Sequence, residues 1–282
     1  METPSDFHKP TFLMNFPLSV SNRVPNNVWM DPDEQGPFDM NKATTQWMEL
    51  YWALIDLGSL VYVLPGHNNL QDLPYVANLG CYLPHLHNTI LLANFMSIPR
   101  RGEDIIGRKF FSHYKYKVKQ PLAPWEGEAD LKWVRSNIYV GGIGSRSTAA
   151  AFRWMASEFD MEITTISMTD PKLYHLDCVY FPLDEHKAIV NVAAINPEDM
   201  RKLEKLTEII PVPNEYVYQG WTNVLRVGRH ILHAPAKLPW EPFGKLLDYH
   251  GYNLRIFDLT EFDKSGADLS CLVMHMNVKN RF

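Results

Sequence analysis

Short apolar runs recur along this chain between more polar stretches. They are brief, rich in β-branched or aromatic residues and bounded by turn residues, and this pattern predicts strands. The predicted strands span residues 61–64, 89–93, 138–140, 178–181, 188–190, 224–227 and 254–257. Their even spacing indicates that strands occur throughout the chain and are not confined to one part of it.

Three longer segments have the periodicity of amphipathic helices. The predicted helices span residues 43–57, 148–158 and 197–208. In the first of them Trp47, Leu50, Tyr51 and Leu54 fall on one face, as the helical repeat requires of a face that packs against a core. Gly58 stands where a helix C-terminus is expected, and the pair Asn196–Pro197 is typical of a helix start.

These elements follow one another as strand, strand, helix and strand, about every 50 residues, which gives roughly five units in a chain of this length. The units share no clear sequence identity, so the pattern by itself indicates only an alternating α/β fold. No low-complexity linker divides the chain, and we therefore expect a single catalytic domain over residues 12–282. We expect residues 1–11 to form a flexible tail.

The composition and net charge of the chain argue against some kinds of binding partner. Of 282 residues, 46% are hydrophobic and 12% aromatic, enough for a sizeable buried core. The formal net charge of -5 and the absence of a basic run argue against a nucleic-acid partner. No long apolar stretch or signal-peptide pattern occurs, so we expect a cytoplasmic protein without a membrane partner. The oligomeric state stays open, a homo-oligomer included.

The cysteines and histidines do not form a metal-site pattern. Cys81, Cys178 and Cys271 are an odd number without paired spacing, which suits reduced thiols. The eleven histidines include no H-E-x-x-H segment, and His85 and His87 alone do not make a zinc site. We therefore expect no metal.

Cys271 and His175 are the first candidates for chemistry. A nucleophilic cysteine needs a histidine that can hold or return a proton, and the two residues can be distant in sequence while meeting in the fold. Such a pair is weak evidence alone, because free cysteines are often buried for structural reasons. We expect Cys81 and Cys178 to be packing residues of that kind.

Six segments in a fixed order strengthen the case. They are DLPYVANLG at 72–80, PRRGE at 99–103, EGEAD at 126–130, VGGIGSRS at 140–147, HLD at 175–177 and GADLSCL at 266–272. This series resembles the guanidino-group-modifying enzymes: arginine deiminases, dimethylarginine dimethylaminohydrolases, amidinotransferases and arginine dihydrolases. Their pattern is D-x-x-[FY]-x-x-[DN], R-x-x-E, E-G-G-D or E-G-x-G-D, G-x-S-x-R-[TS], H-L-[DK] and a small-residue run ending in cysteine.

The resemblance implies a fold and a reaction. The fold is the pentein, a five-fold pseudo-symmetric α/β propeller of ββαβ units, and the ligand is a small guanidino compound such as arginine. Cys271 would be the nucleophile and His175 the general acid/base, through a covalent thiouronium-type intermediate, with no metal or organic cofactor. A guanidinium carbon is a poor electrophile, which is why a thiolate, an acid/base and orienting carboxylates are needed together.

Carboxylates that hold the guanidinium are also implied. Asp177 lies two residues after His175, and on a strand the two side chains would share a face. The segment EGEAD departs from the family pattern because Ala129 replaces a glycine. We therefore choose Glu126 as the catalytic acid and Asp130 second, with Glu128 the remaining alternative.

Other matching positions would bind the rest of the substrate. Asp72 begins the first motif, and Arg100 and Arg146 match arginines that bind the substrate carboxylate or brace the site in relatives, a task suited to the planar guanidinium. Either arginine could instead form a salt bridge at the surface. The segment NVWMD at 27–31 resembles N-P-W-M of the dihydrolases and makes Asn27 a candidate substrate contact.

Asn78 separates the members of the family. Deiminases and dimethylarginine hydrolases have aspartate here, whereas arginine dihydrolases have asparagine, whose amide both donates and accepts and can hold a neutral ureido group. We therefore predict a dihydrolase that converts arginine to ornithine, ammonia and carbon dioxide. The alternatives are a deiminase or dimethylarginine hydrolase that yields citrulline, an amidinotransferase, and a non-catalytic propeller that serves as a binding module.

Overall fold

A computed structural model describes residues 3–235 and 239–279 of the chain. Over these residues, fifteen strands form five three-stranded sheets. The strands are β1 Thr11–Asn15, β2 Leu60–Leu64, β3 Gly80–Tyr82, β4 Thr89–Leu92, β5 Lys117–Lys119, β6 Leu131–Arg135, β7 Ile138–Ile143, β8 Glu162–Ser167, β9 Tyr180–Pro182, β10 Lys187–Val190, β11 Glu208–Pro211, β12 Leu225–Val227, β13 His230–His233, β14 Asn253–Ile256 and β15 Met274–His275. The α-helices are α1 Pro32–Gln35, α2 Met40–Asp56, α3 Glu103–His113, α4 Gly127–Asp130, α5 Ala149–Phe159, α6 Pro197–Glu204, α7 Glu241–Tyr249 and α8 Thr260–Asp263.

Each sheet is built in the same way. Its first strand pairs antiparallel with the second, and the chain then passes through a helix to a third strand that is parallel to the second, as in β3, β4, α3 and β5. The sheet that contains β1 and β2 takes its remaining strand from the other end of the chain, because β15 pairs antiparallel with β1. This pairing closes the five ββαβ units into a ring and confirms the predicted α/β propeller.

The first strands of the units lie innermost in the ring. β3 adjoins β15 and β6 adjoins β9, and residues from the first strands of all five units line one cavity on the ring axis. The hydrophobic core is divided into five buried clusters, each between neighbouring sheets. In one of them Phe111 of α3 packs with Ile90 of β4 and with Leu13 of the preceding sheet.

The predicted helices are present, and their ends have clear causes. α2 ends before Gly58, whose φ of 81° is the left-handed conformation that glycine adopts without strain. Asn196 caps α6 by accepting a hydrogen bond from the Asp199 amide. The expected continuation of this helix to residue 208 was wrong: α6 ends at Glu204, and Glu208 donates its amide to His186 as it enters β11.

Short 3-10 turns precede several strands. Residues 4–6 form one of them, and the Asn277 side chain donates to the Pro4 carbonyl. Thr11 already belongs to β1, whereas residues 1 and 2 lie outside the described residues. Cys178, expected at the start of a strand, lies instead in a 3-10 turn that precedes β9.

None of the helices within residues 3–235 and 239–279 is long and apolar enough to cross a membrane.

Candidate active site

Short turns that lead into the innermost strands carry most of the candidate residues. Asn78 ends the 3-10 turn Val76–Asn78 before β3, and His175 caps the 3-10 turn Leu176–Cys178 before β9. Glu126 immediately precedes the short helix α4, which leads into β6, and Cys271 lies in the 3-10 turn Leu269–Leu272 before β15. Because the innermost strands surround the ring axis, these turns bring side chains from distant parts of the sequence together.

One cavity receives most of these side chains. It is lined by Asn26, Asn27, Asp72, Tyr75, Asn78, Arg100, Arg146, Tyr174, His175, Ser265, Ala267 and Cys271. The structure therefore brings the candidate nucleophile and the candidate acid/base to a single cavity, together with the candidate substrate contacts from the first motif. Asp177, Glu126 and Asp130 lie behind this lining and are buried.

His175, Glu126 and Asn78 form a compact polar group. The Nε2 atom of His175 lies 3.1 Å from Oε2 of Glu126. Asn78 Nδ2 lies 3.4 Å from the same oxygen and 3.3 Å from His175 Nε2. A carboxylate that accepts from an imidazole fixes the orientation and tautomer of the ring, so Glu126 is placed to orient His175.

Positive charge keeps Glu126 ionised. Burial acts to raise the pKa of this carboxyl, but the hydrogen bond from His175 and the charges of Arg146, His175 and Arg100 outweigh it and lower the pKa to about 2. Arg146 lies 3.3 Å from Glu126 Oε1, and Arg100 lies 4.0 Å from Oε2. The site therefore holds a permanent carboxylate beside the imidazole.

Asp130, our second choice for the catalytic acid, is held by hydrogen bonds to the protein. Its carboxylate accepts from the Ser147 hydroxyl and, at 3.0 Å, from the Leu176 amide. Burial raises its pKa to about 6 despite the lowering effect of nearby His175. The third acid of this segment, Glu128, hydrogen-bonds His275 at 2.7 Å on the axial cavity. This geometry favours Glu126 among the three acids.

The residues His175 to Asp177 do not form the strand that we expected. The Leu176 amide donates a hydrogen bond to the Asp130 carboxylate, and the Cys178 amide donates to the His175 carbonyl. These bonds form a turn, and not the pairing of a strand in a sheet. Asp177 is consequently directed to Ser270, whose hydroxyl donates to its carboxylate at 3.1 Å. A turn, and not the alternation of a strand, therefore sets the directions of these two candidate side chains.

Cys271 is a buried thiol beside carboxylates. Burial, reinforced by the nearby negative charges of Asp177 and Asp268, raises its pKa to about 12. The side chain of Asn223 approaches its sulfur, with Nδ2 3.7 Å from Sγ. Sequence reasoning missed Asn223, because no motif marks the segment that contains it.

The two candidate arginines differ in what they contact. Arg100 is buried and forms a two-point salt bridge to Glu103, at 3.1 and 2.8 Å, and it also donates to the carbonyls of Asp72 and Tyr75. These contacts use most of its donors, so the geometry favours the bracing role over binding of a substrate carboxylate. Arg146 contacts Glu126 and lies over the Tyr174 ring at 5.1 Å.

The amino-terminal loop supplies the outer wall of the cavity. Asn27 donates to the Ser265 carbonyl at 3.0 Å, and its side-chain oxygen accepts from the amides of Trp29 and Met30. Its neighbour Asn26 was missed by sequence reasoning, although its Nδ2 donates to Asp72 at 2.6 Å. Asn26 directly precedes the matched segment that begins with Asn27, and this adjacency was the signal that could have identified it.

The remaining cysteines and histidines lie apart from this cavity or behind it. Cys81 is buried and donates to the Tyr82 carbonyl, and Cys178 lies 3.6 Å from the Asp177 carboxylate. His85 bonds Tyr139, whereas His87 is exposed. Among the described residues no group of three or more His, Cys, Asp or Glu side chains could hold a metal ion.

Comparison with known proteins identifies distant relatives of this chain. No protein-family model matches the chain. It is 25% identical over 252 residues to dimethylarginine dimethylaminohydrolase of Mycobacterium tuberculosis, a match that covers 89% of this chain and 80% of that protein. It is 24% identical to the bifunctional arginine dihydrolase/ornithine cyclodeaminases AgrE of Nostoc sp. and ArgZ of Synechocystis sp., with 89% of this chain but only 35% of each of those proteins covered.

Solved structures show the same fold. The cyanobacterial ArgZ N-terminal domain, an arginine dihydrolase bound to its substrate, matches with a TM-score of 0.87 and 22% identity over 95% of this chain and 98% of that one. A dimethylarginine dimethylaminohydrolase adduct matches with a TM-score of 0.73 and 17% identity, over 95% of this chain and all of the other. The resemblance to the guanidino-group-modifying superfamily is confirmed, and the chain has the pentein fold.

Proposed function

We propose that this protein is an arginine-directed guanidino hydrolase of the dihydrolase type, which converts arginine to ornithine, ammonia and carbon dioxide. The observation that carries the proposal is the single cavity lined by Cys271, His175 and Asn78, with the Glu126 carboxylate behind the imidazole. The similarity to arginine dihydrolases and to a dimethylarginine dimethylaminohydrolase supports a cysteine-dependent hydrolase of guanidino groups.

The substrate itself promotes ionisation of the nucleophile. The pKa of Cys271 is raised to about 12, first by burial, so the thiol holds its proton near neutral pH. A guanidinium cation bound in the cavity would bring positive charge to the sulfur and favour the thiolate. The thiol would give its proton to His175, and the thiolate would then attack the guanidinium carbon.

His175 completes the first hydrolysis. It donates its proton to the departing nitrogen, so that a carbon–sulfur bond forms while a carbon–nitrogen bond breaks and ammonia leaves. It then takes a proton from a water molecule, which attacks the same carbon and releases the thiol with a ureido product, citrulline. The carboxylate of Glu126 stabilises the imidazolium that gives the first proton and that forms again when water is deprotonated.

A second hydrolysis distinguishes a dihydrolase from a deiminase. The ureido carbon would be attacked by Cys271 in turn, the second ammonia would leave, and water would release an N-carboxylated ornithine that loses carbon dioxide. Asn78 favours this course because its amide can hold a neutral ureido group, whereas a carboxylate in its place would favour the cation. The identity of the product therefore distinguishes a dihydrolase from a deiminase.

The test is incubation of the protein with arginine, followed by quantification of citrulline, ornithine and ammonia. We expect ornithine, with two ammonia per arginine. Citrulline with one ammonia would instead support a deiminase. The match to the mycobacterial enzyme makes dimethylarginine the second substrate to assay. Ornithine formed only when an amine acceptor is added would indicate an amidinotransferase.

A binding module without catalysis makes a different prediction. In an enzyme of this type, iodoacetamide should modify Cys271 and arginine should protect it, which mass spectrometry of the digested protein would detect. Absence of product from arginine and from dimethylarginine, combined with binding of arginine, would support the binding module.

A further inference from the structure

The side-chain amide of Asn223 is fixed in one orientation. Its Oδ1 accepts from the Ser270 backbone amide at 3.0 Å and from the Ser270 hydroxyl at 2.8 Å. A backbone N–H can only donate, so the atom that faces it must be the oxygen of the amide. The other end of the amide, Nδ2, consequently lies nearer to Cys271 Sγ, at 3.7 Å, than Oδ1 does, at 4.0 Å.

Asn223 also has a distinctive place in the ring. It lies two residues before β12, as Asn78 lies two residues before β3. It is buried and does not line the substrate cavity. The units that begin with β3, β6, β9 and β15 contribute Asn78, Glu126, His175 and Cys271, so Asn223 is the contribution of the unit that begins with β12.

From this geometry we propose that Asn223 is a further catalytic residue, which donates a hydrogen bond from Nδ2 to the Cys271 sulfur as the thiolate forms. The inference rests on the assignment of Cys271 as nucleophile in the proposed function.

The surroundings of the sulfur explain why a donor is needed there. Asp177 and Asp268 both oppose ionisation of Cys271 by their negative charge. A neutral amide donor stabilises the anion without introducing a cation that would repel the guanidinium substrate. The same amide accepts from the Ser270 hydroxyl, which also contacts the Asp177 carboxylate.

Two substitutions test the role of the donor. Asn223→Asp keeps the shape of the side chain but replaces the N–H that faces sulfur by a carboxylate oxygen, whereas Asn223→Ala removes the donor without burying a charge. For both we expect alkylation of Cys271 by iodoacetamide to slow by about ten- to a hundredfold at neutral pH, with its pH profile displaced upward and Asn223→Asp more affected. We also expect kcat to fall by a similar factor with little change in KM, because Asn223 lies outside the cavity lining.

Asn191→Asp is the matched control. Asn191 is as buried as Asn223, and its Nδ2 donates to the Val217 carbonyl, away from Cys271. Thermal unfolding of each variant separates a loss of fold from a loss of the donor, and Asn223→Ala keeps the test independent of whether Asn223→Asp folds. If Asn191→Asp shows the same displaced alkylation profile, the effect results from a buried charge and the inference is overturned.

The outcomes distinguish this inference from the proposed function. If wild-type protein consumes arginine while folded Asn223→Ala matches it in alkylation profile and in kcat, the role of Asn223 is wrong and the hydrolase stands. If wild-type protein does not consume a guanidino substrate but Asn223→Ala slows alkylation, the donor is real and the proposed function is wrong.

Discussion

The Nε2 atom of His175 lies 3.1 Å from Oε2 of Glu126, in a pair that is closed to solvent. Because Glu126 remains ionised, the nitrogen that faces it carries a hydrogen, and Asn78 Nδ2 approaches the same carboxylate oxygen. In the proposed reaction Glu126 would thus orient the general acid by accepting a hydrogen bond from its ring.

Replacement of the nucleophile should abolish turnover and leave the fold intact. Cys271→Ser retains the size of the side chain, but a serine hydroxyl lacks the accessible anion that the reaction uses, and we expect at least about a thousandfold loss of kcat. Cys81→Ser, at a buried cysteine outside the cavity, is the control and should retain activity. The assignment of Cys271 is wrong if Cys271→Ser turns over arginine at nearly the wild-type rate.

Replacement of the acid/base should stop the reaction at or before the covalent intermediate. In His175→Ala the departing amine is not protonated and water is not activated, so single-turnover mass spectrometry should detect either a persistent adduct on Cys271 or very slow adduct formation. His87→Ala, at an exposed histidine, is the control. Rapid multiple turnover by His175→Ala would mean that another histidine, such as His233 or His275, is the acid/base.

The sequence predicted the fold class and most of the candidate residues that meet in one cavity, because motif order and hydrophobic periodicity are properties of the chain itself. It could not predict how the turns direct each side chain. The sequence of the His175–Asp177 segment predicts a strand. The Leu176 amide instead donates to the Asp130 carboxylate, and the segment forms a turn. Asn223 carries no motif, and its contact with Cys271 exists only because the ring brings two units together.

The low pKa of Glu126 predicts a specific dependence of stability on acid. A carboxyl whose folded pKa is lowered to about 2 contributes stability that is present above its ordinary pKa of 4.5 and is lost as the pH falls toward 2. By proton linkage this shift corresponds to about 3 kcal/mol. Urea unfolding should show that wild-type protein loses more stability than Glu126→Gln between about pH 4.5 and about pH 3. Parallel stability curves would contradict the assignment of a lowered pKa.

The ionisation of Asp130 should change the stability of the fold in the opposite direction. Burial raises its folded pKa to about 6, above its ordinary value of 3.8, so its ionisation destabilises the fold progressively between these two values. Asp130→Asn should therefore reduce the loss of stability that accompanies a rise in pH through this window, which the same urea series would measure. A steeper loss in Asp130→Asn than in wild type would show that the hydrogen bonds from Ser147 and Leu176 outweigh burial.

Asn78 should determine which product leaves the site. Asn78→Asp places an anion where the amide now lies 3.4 Å from Glu126 and 3.3 Å from His175, and this anion stabilises the cationic substrate over the neutral ureido intermediate. A bias of about 1.4 kcal/mol changes partitioning about tenfold, so the product should shift clearly from ornithine toward citrulline, with ammonia per arginine falling from two toward one.

Asn15→Asp, a change at a buried amide outside the cavity lining, makes the same chemical change away from the site and should leave the product ratio unaltered. Because the ratio and not the rate is measured, lower activity in Asn78→Asp does not obscure the result. A wild-type protein that already releases only citrulline would defeat the idea, since Asn78 would then have no role in retaining the ureido group.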